Sequence, residues 1–303
     1  MKVFGPGWGF EPNYGNTATI ADARFNNDIR ISASNVTLSG ISNTAGITTR
    51  GSVLRNIIID RCKANDVWLA DKDTLNGVTV KNCYLKRIYF YNICKELKNV
   101  NIVNNILTQR NNDGNFNQAI WMSTGDYSNS LRKEVISNVN ILRNTIVFYS
   151  YYSGDYKPVT VYNSLIQDNI IINLKDANKP IDFGTDLGNI IRKNVLSMDG
   201  SEIGNADVVA NFPDNHFISA TEAGTFTCTK STFGFEQYFQ LKDGSPAKNA
   251  AYDGGDCGAF GGSTPYSICG RPQGIPYITD VEVPAQPNDN KLTVTFKVAN
   301  QNE

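Results

Sequence analysis

The feature that most limits how this chain can fold is a short β-prone segment that recurs through about its first two thirds. The segments follow the pattern V-x-I-x-x-N or a close variant, and successive ones end 21, 21, 22, 39, 25 and 25 residues apart. A nearly constant period that tolerates polar insertions is typical of a solenoid, in which each repeat contacts only its neighbours. The last residues of the segments form one column: Ile41, Cys62, Cys83, Asn105, Asn144, Asn169 and Asn194.

Each period contains three short β-prone pieces rather than a strand and a helix. A second apolar piece follows the column residue, as at 145–148, and a third follows a variable turn, as at 67–69 and 88–90. In most third pieces the outer two residues are apolar, so period-2 alternation directs them inward and the middle residue outward. The pattern predicts an all-β fold, a right-handed single-stranded parallel β-helix (a three-sheet solenoid). A leucine-rich repeat, the main competing fold, needs an L-x-x-L-x-L-x-x-N register that this chain lacks.

An inward asparagine at one corner of successive coils accounts for the column. Parallel strands stack about 4.8 Å apart, so each amide can hydrogen-bond the amides above and below it and the backbone of the turn. Cys62 and Cys83 continue the column as small buried groups. We expect them to be free thiols, although a disulfide between adjacent coils is the alternative.

Domain boundaries follow from where the repeat weakens. Residues 1–262 are predicted to form the parallel β-helix, with irregular last coils at about 198–262. Residues 263–303 are predicted to be an extended proline-rich segment and a β-hairpin packed on the helix. The Asp253-Gly-Gly-Asp256 run suggests a calcium loop, but the EF-hand spacing is missing, so a glycine-rich closing turn is the favoured interpretation.

Charge and hydropathy narrow the classes of partner. Charged residues make up 19% of the chain and the net charge is -1, which gives no indication of a nucleic-acid partner. No apolar run reaches the length of a transmembrane helix, so no membrane insertion is expected. The start at Met1 lacks the apolar stretch of a signal peptide, and we expect the chain to begin inside a longer precursor. The oligomeric state is left open.

Several segments together resemble a known family. The start at residues 3–8, the coils, the closing segments 245–250 and 256–262 and the following Pro265-Tyr266 resemble secreted right-handed parallel β-helix proteins of Bacteroidetes, in the pectin-lyase-like superfamily. The resemblance covers most of the chain and implies an extracellular or cell-surface location. It implies little about activity, because most such proteins have no assigned activity. In this superfamily the polysaccharide groove lies along the sheet that corresponds here to the third pieces.

A glycan-binding face is predicted from the outward residues of those third pieces. Three consecutive coils place Trp68, Tyr89 and Trp121 outward, and such a ladder of rings can stack on the apolar C–H faces of sugars. Asp182 and Lys157 are the further substrate-binding candidates. Long polar insertions at 109–118 and 123–133 flank the face as groove walls. The alternative is that these loops bury the aromatic rings.

Catalytic signatures are absent or incomplete. The Gly-His-Gly and Arg-x-Lys segments of polygalacturonase-type enzymes are missing, His216 is the single histidine, and the pectate-lyase W-I-D-H signature is missing too. If the protein is an enzyme, a polysaccharide lyase is favoured over a glycoside hydrolase. Calcium, the only cofactor suggested, and a proton-accepting base would then carry the chemistry. The candidates are Lys86 and Arg87 as base or substrate clamp, and Asp66, Asp71 and Asp73 as calcium ligands, with a second group at Asp126, Asp182, Lys157 and Lys179.

These observations favour an extracellular carbohydrate-interacting β-helix protein. If the protein is an enzyme, the favoured activity is that of a polysaccharide lyase acting on uronic-acid-containing glycans. The alternatives are a non-catalytic glycan-binding, adhesin or tailspike-like surface module, and a structural spacer. Charged turn residues on a solenoid also cluster without any chemical role, and a likeness of fold does not establish a function.

Overall fold

The structure, a computed structural model, describes residues 1–4, 24–25, 27–43, 45–51, 53–70, 74–91, 95–110, 118–122, 133–149, 158–173, 183, 187–196, 239–241, 244–267, 270, 277–282 and 294–299. The regular structure in these ranges is β-strand, apart from a short 3-10 helix at Lys133–Val135. In this described part of the chain no helix is long and apolar enough to cross a membrane.

The strands are, in chain order, β1 (Lys2–Phe4), β2 (Arg24–Phe25), β3 (Ile29–Ile31), β4 (Val36–Ser39), β5 (Ser42–Asn43), β6 (Gly46–Thr49), β7 (Val53–Asp60), β8 (Lys63–Ala70), β9 (Thr74–Lys81), β10 (Tyr84–Tyr91), β11 (Glu96–Val103), β12 (Ile106–Arg110), β13 (Ile120–Met122), β14 (Ile136–Leu142), β15 (Thr145–Tyr149), β16 (Val159–Thr160), β17 (Ser164–Gln167), β18 (Ile170–Asn173), β19 (Ile190–Arg192), β20 (Val195–Leu196), β21 (Tyr277–Glu282) and β22 (Thr295–Ala299).

The strands form a parallel β-solenoid, as the repeat predicts. Among the described strands, eight form a sheet with the order β1-β4-β7-β9-β11-β14-β17-β19, and twelve form a second sheet that contains the rest of each coil. Strand pairing is parallel and in register from coil to coil, so that Val78 lies between Ile57 and Val100. The second and third pieces of a coil belong to the same twelve-stranded sheet, and in β8 and β10 they run together as one eight-residue strand.

The amide ladder that the sequence predicts lies buried at one corner of the coils. The side-chain oxygen of Asn144 accepts hydrogen bonds from the backbone N–H and the side-chain amide of Asn105, at 3.0 and 2.9 Å. Asn169 accepts the same pair of bonds from Asn144, and Asn194 accepts them from Asn169. Asn105 in turn accepts the backbone N–H of Cys83. All four asparagines are fully buried, so the predicted inward register is confirmed.

The two cysteines take the place of the amide in the first coils of the ladder. Cys83 Sγ accepts the backbone N–H of Cys62 at 3.3 Å, and its thiol lies 3.0 Å from the carbonyl of Lys81. Both cysteines are buried and free, as predicted. A thiol can fill this position because it is a weak donor and a weak acceptor at once.

We therefore expect both thiols to resist alkylation in the folded protein. Burial, and next the neighbouring Cys62, raise the pKa of Cys83 well above its ordinary value, so the reactive thiolate is scarce at mildly alkaline pH. Peptide mass spectrometry after iodoacetamide treatment should find Cys62 and Cys83 unmodified in the native protein and alkylated in denaturant. Rapid native labelling of Cys83, or a peptide pair linked through Cys62 and Cys83, would contradict this assignment.

Two columns of left-handed residues bend each coil at fixed positions. Their φ angles lie between 48° and 74°, a region that asparagine and glycine tolerate better than other residues. One column directly precedes the core of the eight-stranded sheet, and the other directly precedes the amide ladder. The first contains Asn35, Asn56, Gly77, Asn99, Asn138, Asn163 and Gly188, and the second contains Gly40, Arg61, Asn82, Asn104, Arg143, Asp168 and Lys193.

A C-terminal strap, residues 244–267, lies along the ladder corner on the outside of the solenoid. It runs against the direction of the stack. The Cys257 thiol contacts the carbonyl of Lys193, whereas Ala259 contacts Thr145, two coils lower, and Asn104, three coils lower. Gly258 donates its N–H to the carbonyl of Asp168 at 2.8 Å. A Cβ at Gly258 would lie 2.6 Å from Ile170, so this close approach requires glycine.

The predicted hairpin is present as β21 and β22, which pair antiparallel. Val281 lies opposite Phe296 and Ile278 opposite Val298, whereas Asp280 lies opposite Lys297. The side chains of residues 294–298 are exposed. The packing of the hairpin on the helix stays a prediction.

Candidate functional site

The predicted aromatic residues occupy one outward column of the twelve-stranded sheet. Tyr89 pairs in register with Trp68 of the coil before and with Trp121 of the coil after. The residues that flank Trp68 in its strand, Val67 and Leu69, are fully buried, so Trp68 points away from the core. Sequence periodicity therefore brings these three rings together, as predicted; we refer to them as the aromatic column.

The three rings pack edge to face rather than lying side by side on an open surface. The ring centroids of Trp68 and Tyr89 are 6.0 Å apart at 84°, and those of Tyr89 and Trp121 are 5.7 Å apart at 89°. Trp68 is 37% exposed, Trp121 is half-buried and Tyr89 is only 2% exposed. Tyr89 is thus covered by its neighbours, although the sequence predicts that all three rings are presented together. The accessible aromatic surface of the column belongs mainly to Trp68.

Tyr89 is held in place through its hydroxyl and its ring. Its O–H donates to the backbone carbonyl of Gln118 at 3.4 Å, and the guanidinium carbon of Arg87 lies 4.9 Å from its ring centroid. Burial raises the pKa of Tyr89 to about 12, so the hydroxyl is neutral at physiological pH. The residue acts as an uncharged spacer between the two tryptophans.

An ion pair borders the aromatic column. Arg87 donates from Nε and Nη2 to the two carboxylate oxygens of Asp66, each at 2.8 Å, and the side chains are 24% and 21% exposed. The hydrogen bonds that Arg87 donates to Asp66 raise the pKa of Arg87 above its ordinary value, which keeps the guanidinium charged. This geometry favours the substrate-clamp role of Arg87 over the role of a base. Asp66 would have to leave Arg87 to bind calcium with both oxygens.

The ion pair is a feature that the sequence prediction missed, although a signal for it exists. Asp66 and Arg87 are 21 residues apart, the same spacing that separates Trp68 from Tyr89. Opposite charges one coil apart on the outer face are cross-strand neighbours, and such pairs attract each other. The coil period therefore predicts this contact without coordinates.

The other predicted site residues are only partly covered by the structure. Lys86 is described and is exposed on the strand that carries Arg87 and Tyr89. Among the residues that the structure describes, no three His, Cys, Asp or Glu side chains lie together as a metal site. The remaining candidates lie outside the described residues: Asp71, Asp73, Asp126, Lys157, Lys179, Asp182 and His216.

The glycine-rich run of the strap forms a turn in which both aspartates accept hydrogen bonds from backbone N–H groups. Asp253 accepts the N–H of Gly255 and pairs with Arg143, and Asp256 accepts the N–H of Asn249. The turn borders a cavity of about 480 Å³, and the described residues that line it belong to the strap, between Asp253 and Gly262. Both carboxylates thus have partners within the protein, which fits the interpretation favoured by the sequence.

No family model matches this chain, and comparison with curated proteins and solved structures found no match. The parallel β-solenoid fold is consistent with the pectin-lyase-like superfamily and is the part of the resemblance that the coordinates support.

Proposed function

We propose that this chain is an extracellular carbohydrate-binding β-solenoid whose aromatic column contacts a glycan without cleaving it. The observation that carries the proposal is the exposure of Trp68, 37%, at a position where the strand directs the ring outward and the ring packs edge to face on Tyr89. An exposed, fixed indole is suited to stack on the C–H face of a sugar ring. A pectin-lyase-like relationship, and a Bacteroidetes origin with export from the cell, fit this proposal.

Polar groups beside the column complete the chemistry of a sugar site. The Asp66–Arg87 pair has both donors and acceptors close to Trp68 and Tyr89, and sugar hydroxyls need both. Sites for small polar ligands combine apolar contact area with a few fixed polar groups in this way. The column runs along the stack of coils, so successive sugars of one chain would contact successive coils.

Lyase activity is the second candidate, because Lys86 is exposed on the strand of the site. Elimination from a uronic-acid polymer gives an unsaturated product that absorbs in the ultraviolet. The binding proposal expects no increase in absorbance with any uronic-acid polymer, with or without calcium. A steady increase that depends on Lys86 would establish the lyase instead.

The decisive variant for binding is Trp68→Ala. We expect its retention on the bound polysaccharide in affinity electrophoresis to fall about tenfold or more, because the main exposed stacking surface is removed. The free energy of unfolding should fall by less than about 1.5 kcal/mol, the size of one edge-to-face contact. Trp121→Ala should also weaken retention, but less, since that ring is half-buried.

Tyr252→Ala is the matched control. Tyr252 is 59% exposed on the strap, so the substitution removes a ring that is more accessible than Trp68 from a different surface. Its retention should equal that of the wild type. If Trp68→Ala retained full binding but lost several kcal/mol of stability, the aromatic column would be a packing feature under loops, and the glycan-binding proposal would fail.

A further inference from the structure

The charge state of the groups beside the aromatic column restricts which glycans fit. We propose that the segment of glycan bound beside Trp68 is uncharged, so that the site recognises neutral sugar hydroxyls rather than uronate carboxylates. The inference rests on the proposed function, because it concerns the same face of the solenoid.

The first argument is that the cation at the site is already neutralised. Both carboxylate oxygens of Asp66 lie 2.8 Å from the guanidinium of Arg87, in the bidentate arrangement that matches the two groups best. A uronate carboxylate that approached Arg87 would also be repelled by Asp66, which is held 2.8 Å from the same guanidinium. Attraction and repulsion would largely cancel, and the desolvation cost of the incoming charge would remain.

The second argument concerns the hydrogen-bond donors of Arg87 and acceptors of Asp66 that the ion pair itself does not use. Two of the five N–H groups of Arg87 bind Asp66 and the guanidinium also hydrogen-bonds the Tyr89 side chain, so only some of its donors are left, and each carboxylate oxygen of Asp66 keeps a further acceptor position. Because the side chains are about one quarter exposed, a ligand can reach this edge of the pair. A hydroxyl donates and accepts, so it satisfies both remaining groups, whereas a carboxylate satisfies only the donors.

The third argument concerns the surroundings of the pair. Tyr89, whose ring lies beneath the guanidinium of Arg87, is uncharged at physiological pH. Besides Arg87, the strand β10 carries one further cation, Lys86. Lys86 is exposed, so its field is screened by salt. We therefore expect glycan binding by this face to depend little on ionic strength.

The experiment uses uronic-acid polymers and the carboxyl-reduced form of each, which keeps the backbone and the linkage but removes the charge. Affinity electrophoresis with the full chain should show retention on at least one reduced polymer, about tenfold stronger than on its acidic parent, with little change between low and physiological salt. Stronger retention on the acidic parent that weakens with salt would overturn the inference and leave glycan binding standing. No retention on either form of any polymer would overturn both.

Asp66→Asn tests whether the charge of Asp66 causes the preference for the uncharged polymers. The substitution keeps the shape of the side chain but leaves the charge of Arg87 uncompensated, so the preference should shift about tenfold or more toward the acidic polymers and reverse with added salt. Asp60→Asn is the matched control, since it unpairs Arg61 at a different corner of the solenoid, and it should keep the wild-type preference. An unchanged preference in folded Asp66→Asn would contradict the cancellation argument. The wild-type comparison decides the inference even if the variant does not fold.

Discussion

Asn144→Ala is expected to lose about 3–6 kcal/mol of unfolding free energy, a large share of the total stability of a domain. Asn144 Oδ1 accepts two hydrogen bonds from Asn105, and its Nδ2 donates to the carbonyl of Ile102 at 2.9 Å and to Asn169 at 3.0 Å. Removing the amide leaves the buried N–H of Asn105 and the buried carbonyl of Ile102 without this partner. Urea unfolding followed by circular dichroism measures the loss.

Two further variants test whether the loss of stability is specific to the buried amide ladder or would follow from any asparagine substitution. Asn144→Cys should lose less than Asn144→Ala, because the thiol at Cys83 already fills the same position in an earlier coil. Asn140→Ala removes a half-buried amide that bonds Asn101 on the outer face, and its loss should stay below about 1.5 kcal/mol. Equal losses for Asn144→Ala and Asn140→Ala would show that the buried ladder does not hold the coils together.

The register of the solenoid is the part of the fold that can be predicted from sequence. Period-2 alternation and one polar position per coil admit a single arrangement, since a slip of one residue would place Val78 and Val80 outside and Asn105 away from the corner. The outward aromatic column follows from the same register. Its degree of exposure does not follow, because the covering of Tyr89 depends on how the two neighbouring tryptophans turn about their side-chain bonds.

The predictions from sequence do not include the packing of the strap on the solenoid. The second β-prone piece of each coil, which follows the column residue, nevertheless contains a signal for this packing. Ile170, Ile171 and Ile172 are consecutive and all buried, so both faces of β18 are covered. A strand with one face in water alternates, and a continuous apolar run indicates cover on both sides. Ile171 packs in the core and Ile170 packs against the strap residues Ala247, Ala251 and Cys257. The residues around β18 do not show which segment covers its outer face, because the strap is some eighty residues away in the chain.

Asp168 joins the strap to the solenoid, and its loss should release the strap. The side chain is fully buried: it accepts the N–H of Tyr252 at 2.8 Å and a side-chain N–H of Gln167 at 2.9 Å, and it pairs with Arg143 at 3.3 Å. Breaking a buried pair by removing one partner typically costs about 3–5 kcal/mol, because the other charge loses its compensation. Asp168→Ala should lose stability in this range.

Cys257 reports directly whether the strap has been released. It belongs to the strap, its thiol contacts the Lys193 carbonyl of the solenoid, and it is 1% exposed. Burial raises its pKa to about 12, so the native thiol should react very slowly with iodoacetamide. In Asp168→Ala, peptide mass spectrometry should find Cys257 alkylated while Cys62 and Cys83 stay protected, because only the strap has opened. Asp253→Ala is the matched control: this carboxylate pairs with the same Arg143 but lies 56% exposed, so Cys257 should remain protected. Simultaneous labelling of all three cysteines in Asp168→Ala would mean that the solenoid unfolds as a whole and that the strap is not a separable element.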